Sequence, residues 1–284
     1  MSATRSFPRD AMGVAHDPVD AADARIVSLV PSITELLFDL NLGDQLVART
    51  QFCVHPEGRV DKLPSVGGTK KIKVDRLRAL NPTHVVLNVD ENTKELAETL
   101  RAFVPNLVVT HPIQPRDNLD LFRMMGGIFD RAERAEALCQ DFEMALRSVM
   151  TLAPRLTDRR VLHLIWKDPW MTVSPNTYIA RMLELVRWRT VSTDTRVRYP
   201  TVPMTQKLLD GVDVVLFSTE PFKFTEDHIA EFRAKFKLPG KTLRMIDGEM
   251  ISWYGSRAIQ GLNYLRQAAT ETRAESASTR GKPG

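Results

Sequence analysis

The chain has 284 residues, 43% of them hydrophobic and 26% charged, with 39 Lys and Arg against 35 Asp and Glu for a formal charge of +4. This is the make-up of an ordinary globular protein of one large or two medium domains, with no apolar run long enough to span a bilayer. Two cysteines, Cys53 and Cys139, are too few and too far apart for a disulfide framework or a zinc ribbon, and the small basic excess carries no zinc-finger or RNP signature, which leaves nucleic acid out as a partner.

Residues 1–24 mix charges, prolines and small residues without the apolar core of an export signal, so they are expected as a flexible N-terminal segment. On that reading the chain is cytoplasmic as written, and periplasmic if the start is misassigned or a signal has been removed. From Arg25 an apolar strand is expected to run through Leu29 and Val30 into Pro31 and Ser32, which open a helix. Its residues Ile33, Leu36, Leu37 and Leu40 recur at helical period, and Ser32 with Glu35 fits the S-x-x-E capping box. In an open α/β sheet such a strand end faces ligand.

Residues 79–88 match 208–217, with Leu80, Val85, Val86 and Leu87 recurring as Leu209, Val214, Val215 and Leu216. Arg25–Val30 likewise matches Arg160–Ile165. In the later copy the strand leads to a helix expected over 178–186, preceded by Asn176 and Thr177 as possible caps. Strands alternating with helices at this spacing predict two parallel α/β lobes, 25–130 and 154–270. Between them 131–153, free of Gly and carrying an apolar stripe from Ala135 to Val149, predicts one linking helix. The polar stretch 271–284 is expected as a flexible tail.

Candidate ligand residues gather at the expected strand ends. The first lobe offers Pro31, Ser32, Gln51, Phe52, Cys53, His55, Gly67, Gly68 and the loop Asn88–Asn92; the second offers Trp166-Lys167-Asp168-Pro169-Trp170, the loop Ser218–Pro221, and Ser252 to Arg257. Three tryptophans, Trp166, Trp170 and Trp253, with Tyr254, suit a large, partly apolar ligand, or else anchor the lobe cores. Lys167, Asp168 and Arg257 either hold polar groups of a ligand or pair with one another. His55, His84, His111 and His163 lack local metal-site spacing, so no metal site is expected. There is no nucleophile elbow, and Cys53 with His55 is the one thiol and base pair in view.

The segments RIVSLVPSITELLFDLNLGDQLVA, LPSVGGTKKIKVDRLRALNPTHVVL, WKDPWMTVSPNTYI and DGEMISWYGSRAIQGLNYL resemble the helical-backbone (class III) substrate-binding proteins of ABC importers, above all the cobalamin-binding branch, over about residues 25–268. The resemblance implies two Rossmann-like lobes with parallel sheets joined by one long helix, and a ligand cleft between the lobes. It also implies a monomer without catalytic groups or resident cofactor, carrying cobalamin or a related corrinoid, with an ABC importer permease as partner. Carried over, its ligand positions fall on Pro31, Phe52, Trp166, Trp170, Trp253 and Tyr254, with Gly67 and Gly68 in the lining loop; Ser32, Asp168 and Arg257 complete the expected site. Importer-linked members dock through a glutamate on each lobe. This chain has Lys94 and Glu95 around the first position, but Met204, Thr205 and Gln206 around the second, so a soluble derivative of an importer protein is a further expectation. The alternatives are a ferric-siderophore or haem carrier, favoured if Lys167 and Arg257 converge on the ligand, and a cytosolic enzyme using the same cleft.

Overall fold

The computed structural model describes residues 7–280. They divide into two units. Unit 1 holds the residues up to Pro112, then Arg116–Phe142 and Tyr254–Arg257; unit 2 holds Ile113–Pro115, Glu143–Trp253 and the residues from Ala258 on. No helix among the described residues is long and apolar enough to cross a membrane.

Unit 1 is built from β1 (Ile26–Ser28), α1 (Pro31–Asp39), β2 (Leu46–Arg49), α2 (Val74–Ala79), β3 (His84–Asn88), α3 (Lys94–Arg101), β4 (Asn106–Thr110) and α4 (Asp117–Ile128). Its sheet is parallel, in the order β2-β1-β3-β4. The central strands β1 and β3 are buried at every residue, whereas edge strand β2 alternates, as expected when only inner strands are covered on both faces. Helix α5 (Ala132–Leu152) then runs from unit 1 into unit 2, where the linking helix is expected.

Unit 2 repeats the design with β5 (Arg159–Leu164), α6 (Tyr178–Glu184), β6 (Trp188–Thr190), α7 (Gln206–Asp210), β7 (Val214–Ser218), α8 (Glu226–Lys235), β8 (Thr242–Ile246), α9 (Gly248–Ser252) and α10 (Arg257–Arg280). Its parallel order, β6-β5-β7-β8, is that of unit 1 with each strand replaced by its later copy. The two sequence correspondences are therefore the paired central strands, β1 with β3 and β5 with β7. Thr177 caps α6, its side chain accepting from the Ala180 amide.

Several expectations are corrected. Strand β1 ends at Ser28, before Leu29 and Val30. The S-x-x-E capping box does not form: Val30 is the N-cap of α1 without a side-chain bond, and Pro31 stands in the first turn, where its missing N–H costs nothing. Starting the helix there moves Ser32 inside it and frees Glu35 for another partner. Residues 7–24 are not a loose segment. The Asp10 carboxylate accepts from the amides of Met12, Val14 and Val109, Ala11 donates to the Val109 carbonyl, and Val19 donates to Ile128, so the segment straps the free edge of β4. A polar composition hid this because the buried charge is matched by backbone donors. Helix α10 continues through Arg280, past the expected end at 270, with Arg244 of β8 bonded to the Ala268 carbonyl and the Thr272 hydroxyl. Residues 1–6 and 281–284 of the two expected flexible ends lie outside the described residues.

Candidate functional site

Loops at the carboxyl ends of a parallel sheet are where such folds hold ligands, because strand ends and helix starts leave backbone groups free there. In unit 1 these loops are cross-tied by two asparagines. The Asn92 side chain accepts from the Asn88 amide and donates to the Thr69 carbonyl at 2.8 Å, while the Asn88 side chain accepts from the Asp90 amide and donates to the Thr110 carbonyl. The loops after β2, β3 and β4 thus form one surface. Phe52 stands on it 52% exposed, beside Gly68, where a Cβ would lie 3.2 Å from the Phe52 ring. Gly67 has φ +114° and a Cβ there would meet the Lys71 carbonyl at 2.5 Å, so this glycine is required by its own turn.

Unit 2 presents an aromatic group at the corresponding end. Trp166 is 39% exposed and packs edge-on against Phe222, with ring centroids 5.6 Å apart. Trp170 is half-buried, stacked on Phe224 at 6.0 Å and edge-on to Phe232, and so belongs to the core that supports the loop. Asp168, exposed, has φ 61° and precedes a cis Pro169. Lys167 pairs with Glu231 at 2.9 Å.

The other expected ligand residues are buried. Pro31 and Ser32 lie inside the first turn of α1, with the Ser32 hydroxyl against the Tyr254 phenol. Trp253, 8% exposed, donates its indole N–H to Glu220 at 2.9 Å, and Tyr254, 7% exposed, donates to Glu91 at 3.1 Å. Burial, reinforced by Glu91, pushes the Tyr254 phenol well above its usual range. Arg257 neither pairs with Lys167 or Asp168 nor stands in the second unit, as the sequence suggested. It makes a two-pronged ion pair with Glu35, both contacts at 2.7 Å, and Tyr254–Arg257 accordingly belongs to unit 1, where the Gly255 amide also donates to the Asn118 side chain. Sequence reasoning named the loops that hold Glu91 and Glu220 but not these partners; Phe222 it missed, and only its place in the Ser218–Phe224 stretch hinted at it.

In the one thiol and base pair in view, the thiol is enclosed. Cys53 is fully buried, its sulfur accepting from the Thr34 hydroxyl at 3.0 Å and lying 3.2 Å from that of Thr50. Burial pushes the thiol up, away from the reactive thiolate. Among the described residues no group of three or more His, Cys, Asp or Glu could hold a metal ion.

The periplasmic binding protein family model matches residues 26–237. The chain belongs to the periplasmic binding protein family. It is 27% identical over 204 residues to the vitamin B12-binding protein of Yersinia pestis (strain Pestoides F), covering 71% of each chain. Among solved structures, the fold is similar to the periplasmic vitamin B12 binding protein BtuF of Vibrio cholerae, with a TM-score of 0.76 at 17% identity, covering 88% of this chain and 98% of that one. It is also similar to the apo periplasmic heme-binding protein RhuT from Roseiflexus sp. RS-1, with a TM-score of 0.73 at 21% identity, covering 87% and 98%. Two parallel four-stranded sheets flanked by helices are the common architecture. The family is one of solute-binding proteins that work with ABC transporter permeases.

Proposed function

We propose that this chain is a non-enzymatic binding protein for cobalamin or a related corrinoid, acting with an ABC importer permease or as a soluble derivative of such a protein. The observation that carries the reading is the exposure of Phe52 and Trp166, each at the carboxyl end of its own sheet, Phe52 beside Gly68 and Trp166 packed on Phe222. Flat apolar walls of this kind suit the face and edge of a macrocycle, and loop amides suit its peripheral groups. The likeness to vitamin B12-binding proteins supports the same choice. An anionic siderophore would call for uncommitted cations, and the two basic residues that would have favoured one are engaged: Lys167 by Glu231 and Arg257 by Glu35. The buried, raised thiol of Cys53 weighs against an enzyme. The ligand is cargo, with no resident cofactor, and one chain binds it.

Calorimetric titration with cyanocobalamin, cobinamide, haemin and a ferric siderophore tests the reading, repeated with Phe52→Ala and Trp166→Ala. Tight corrinoid binding, weakened about tenfold or more by each substitution, is expected when a large aromatic contact is lost. Tighter binding of haemin or the siderophore than of either corrinoid, or no binding at all, would overturn it.

A further inference from the structure

The loops that follow β3 and β7 each carry a glutamate that holds an aromatic side chain, and the two aromatics are neighbours in sequence. Glu220, two residues past β7, accepts at one oxygen from the Trp253 indole N–H at 2.9 Å and from the Ser252 hydroxyl at 2.7 Å. Glu91, three residues past β3, accepts from the Tyr254 phenol at 3.1 Å. Each pairing lies inside its own unit, Trp253 in unit 2 and Tyr254 in unit 1. The loop after β7 is tied to α9 a second time, by the Gly248 amide donating to the Thr219 hydroxyl at 2.8 Å. Gly248 leaves no slack, since a Cβ there would clash with the Glu220 side chain. Two residues after Glu220, Phe222 props exposed Trp166, so one loop orients both tryptophans.

A packing role needs only apolar shape, and a half-buried carboxylate is a poor choice for it. Burial pushes the Glu220 carboxyl up, and Glu249 and Asp247 add to the repulsion. What the carboxylate supplies is direction: two donors on one oxygen hold the indole ring in one rotamer. We propose that Glu220, with Glu91 as its counterpart in the other unit, is a positioning residue for ligand recognition, locking Trp253 and Tyr254 in the orientation that the ligand-facing loops are built around. The inference rests on the corrinoid-binding reading.

The test uses the full chain with Glu220→Ala, Glu220→Gln and Glu91→Ala. The Trp253 indole N–H signal is assigned by Trp253→Phe and followed in 1H–15N spectra, alongside cyanocobalamin titration and thermal unfolding. E220A is expected to move the Trp253 signal and weaken cyanocobalamin binding about tenfold, with E220Q, which keeps an acceptor, about threefold weaker than wild type. E91A is expected to weaken binding while leaving the Trp253 signal in place. Wild-type affinity in E220A, or a moved Trp253 signal with unchanged affinity, would overturn the positioning role alone. Should E220A not fold, E220Q decides by the same criterion. Failure of the wild type to bind any of the four ligands would sink the corrinoid reading and this inference together.

Discussion

His163 lies on β5 with no exposure, and neither ring nitrogen has a hydrogen-bond partner among the described residues. Burial alone brings its pKa down from 6.5 to about 3, so the folded protein keeps the ring neutral while the unfolded chain protonates it below about pH 6.5. The fold therefore has its full stability above that pH and loses it as the pH falls towards 3. At about 1.4 kcal/mol per pH unit, the 3.5-unit gap amounts to roughly 5 kcal/mol in all, and to roughly 2 kcal/mol between pH 6.5 and 5. His163→Leu removes the titrating group and the two unpartnered nitrogens at similar volume. It should leave stability at pH 7 unchanged or raised by about 1–2 kcal/mol, and should lose roughly 2 kcal/mol less than wild type between pH 7 and 5. All four tryptophans, Trp166, Trp170, Trp188 and Trp253, lie in unit 2 with His163, so fluorescence during urea unfolding reports the relevant unit. Equal losses in the two proteins between pH 7 and 5 would refute the argument.

Three further outcomes follow from buried charge and burial. Arg257→Ala strands the Glu35 carboxylate and should cost about 3–5 kcal/mol in urea unfolding, largely recovered when both residues become Leu; an R257A protein as stable as wild type would contradict the buried pair. Asp10→Ala removes a carboxylate that, although burial works against its ionised form, is held below its usual range by His16 and three backbone amides. The variant should lose about 2–4 kcal/mol at pH 7, with faster amide exchange at Ala11 and Val109, and the wild type should lose a part of that contribution, the part tied to ionisation, as the pH falls below about 3.8. Cys53 and Cys139 are both buried, so a thiol reagent at neutral pH should label neither until denaturant is added. Rapid labelling of Cys53 would instead revive the enzyme reading.

The sequence by itself determined the architecture. The repeated run of Val85-Val86-Leu87 and Val214-Val215-Leu216 dictates two buried parallel strands, because only a strand covered on both faces carries unbroken apolar residues. The Gly-free stretch with its stripe from Ala135 to Val149 likewise predicted α5. Local pattern also identified the loops at the strand ends, down to Phe52 and Trp166. What local pattern misjudged were the polar side chains, because a polar residue has several satisfactory partners and sequence distance does not rank them. Ser32 and Glu35 have the spacing of a capping box, but Pro31 starts the helix first and an arginine 222 positions away takes the carboxylate. Arg257, Trp253 and Tyr254 stand out in the sequence as candidate site residues, but their partners Glu35, Glu220 and Glu91 come within 3.1 Å of them only on folding. Asp10 in a segment of charges, prolines and small residues reads as part of a flexible end until β4 presents its free edge. Apolar burial follows from periodicity along the chain, whereas the pairing of buried charges is decided only when distant elements meet, since water is then absent and each charge must find its complement.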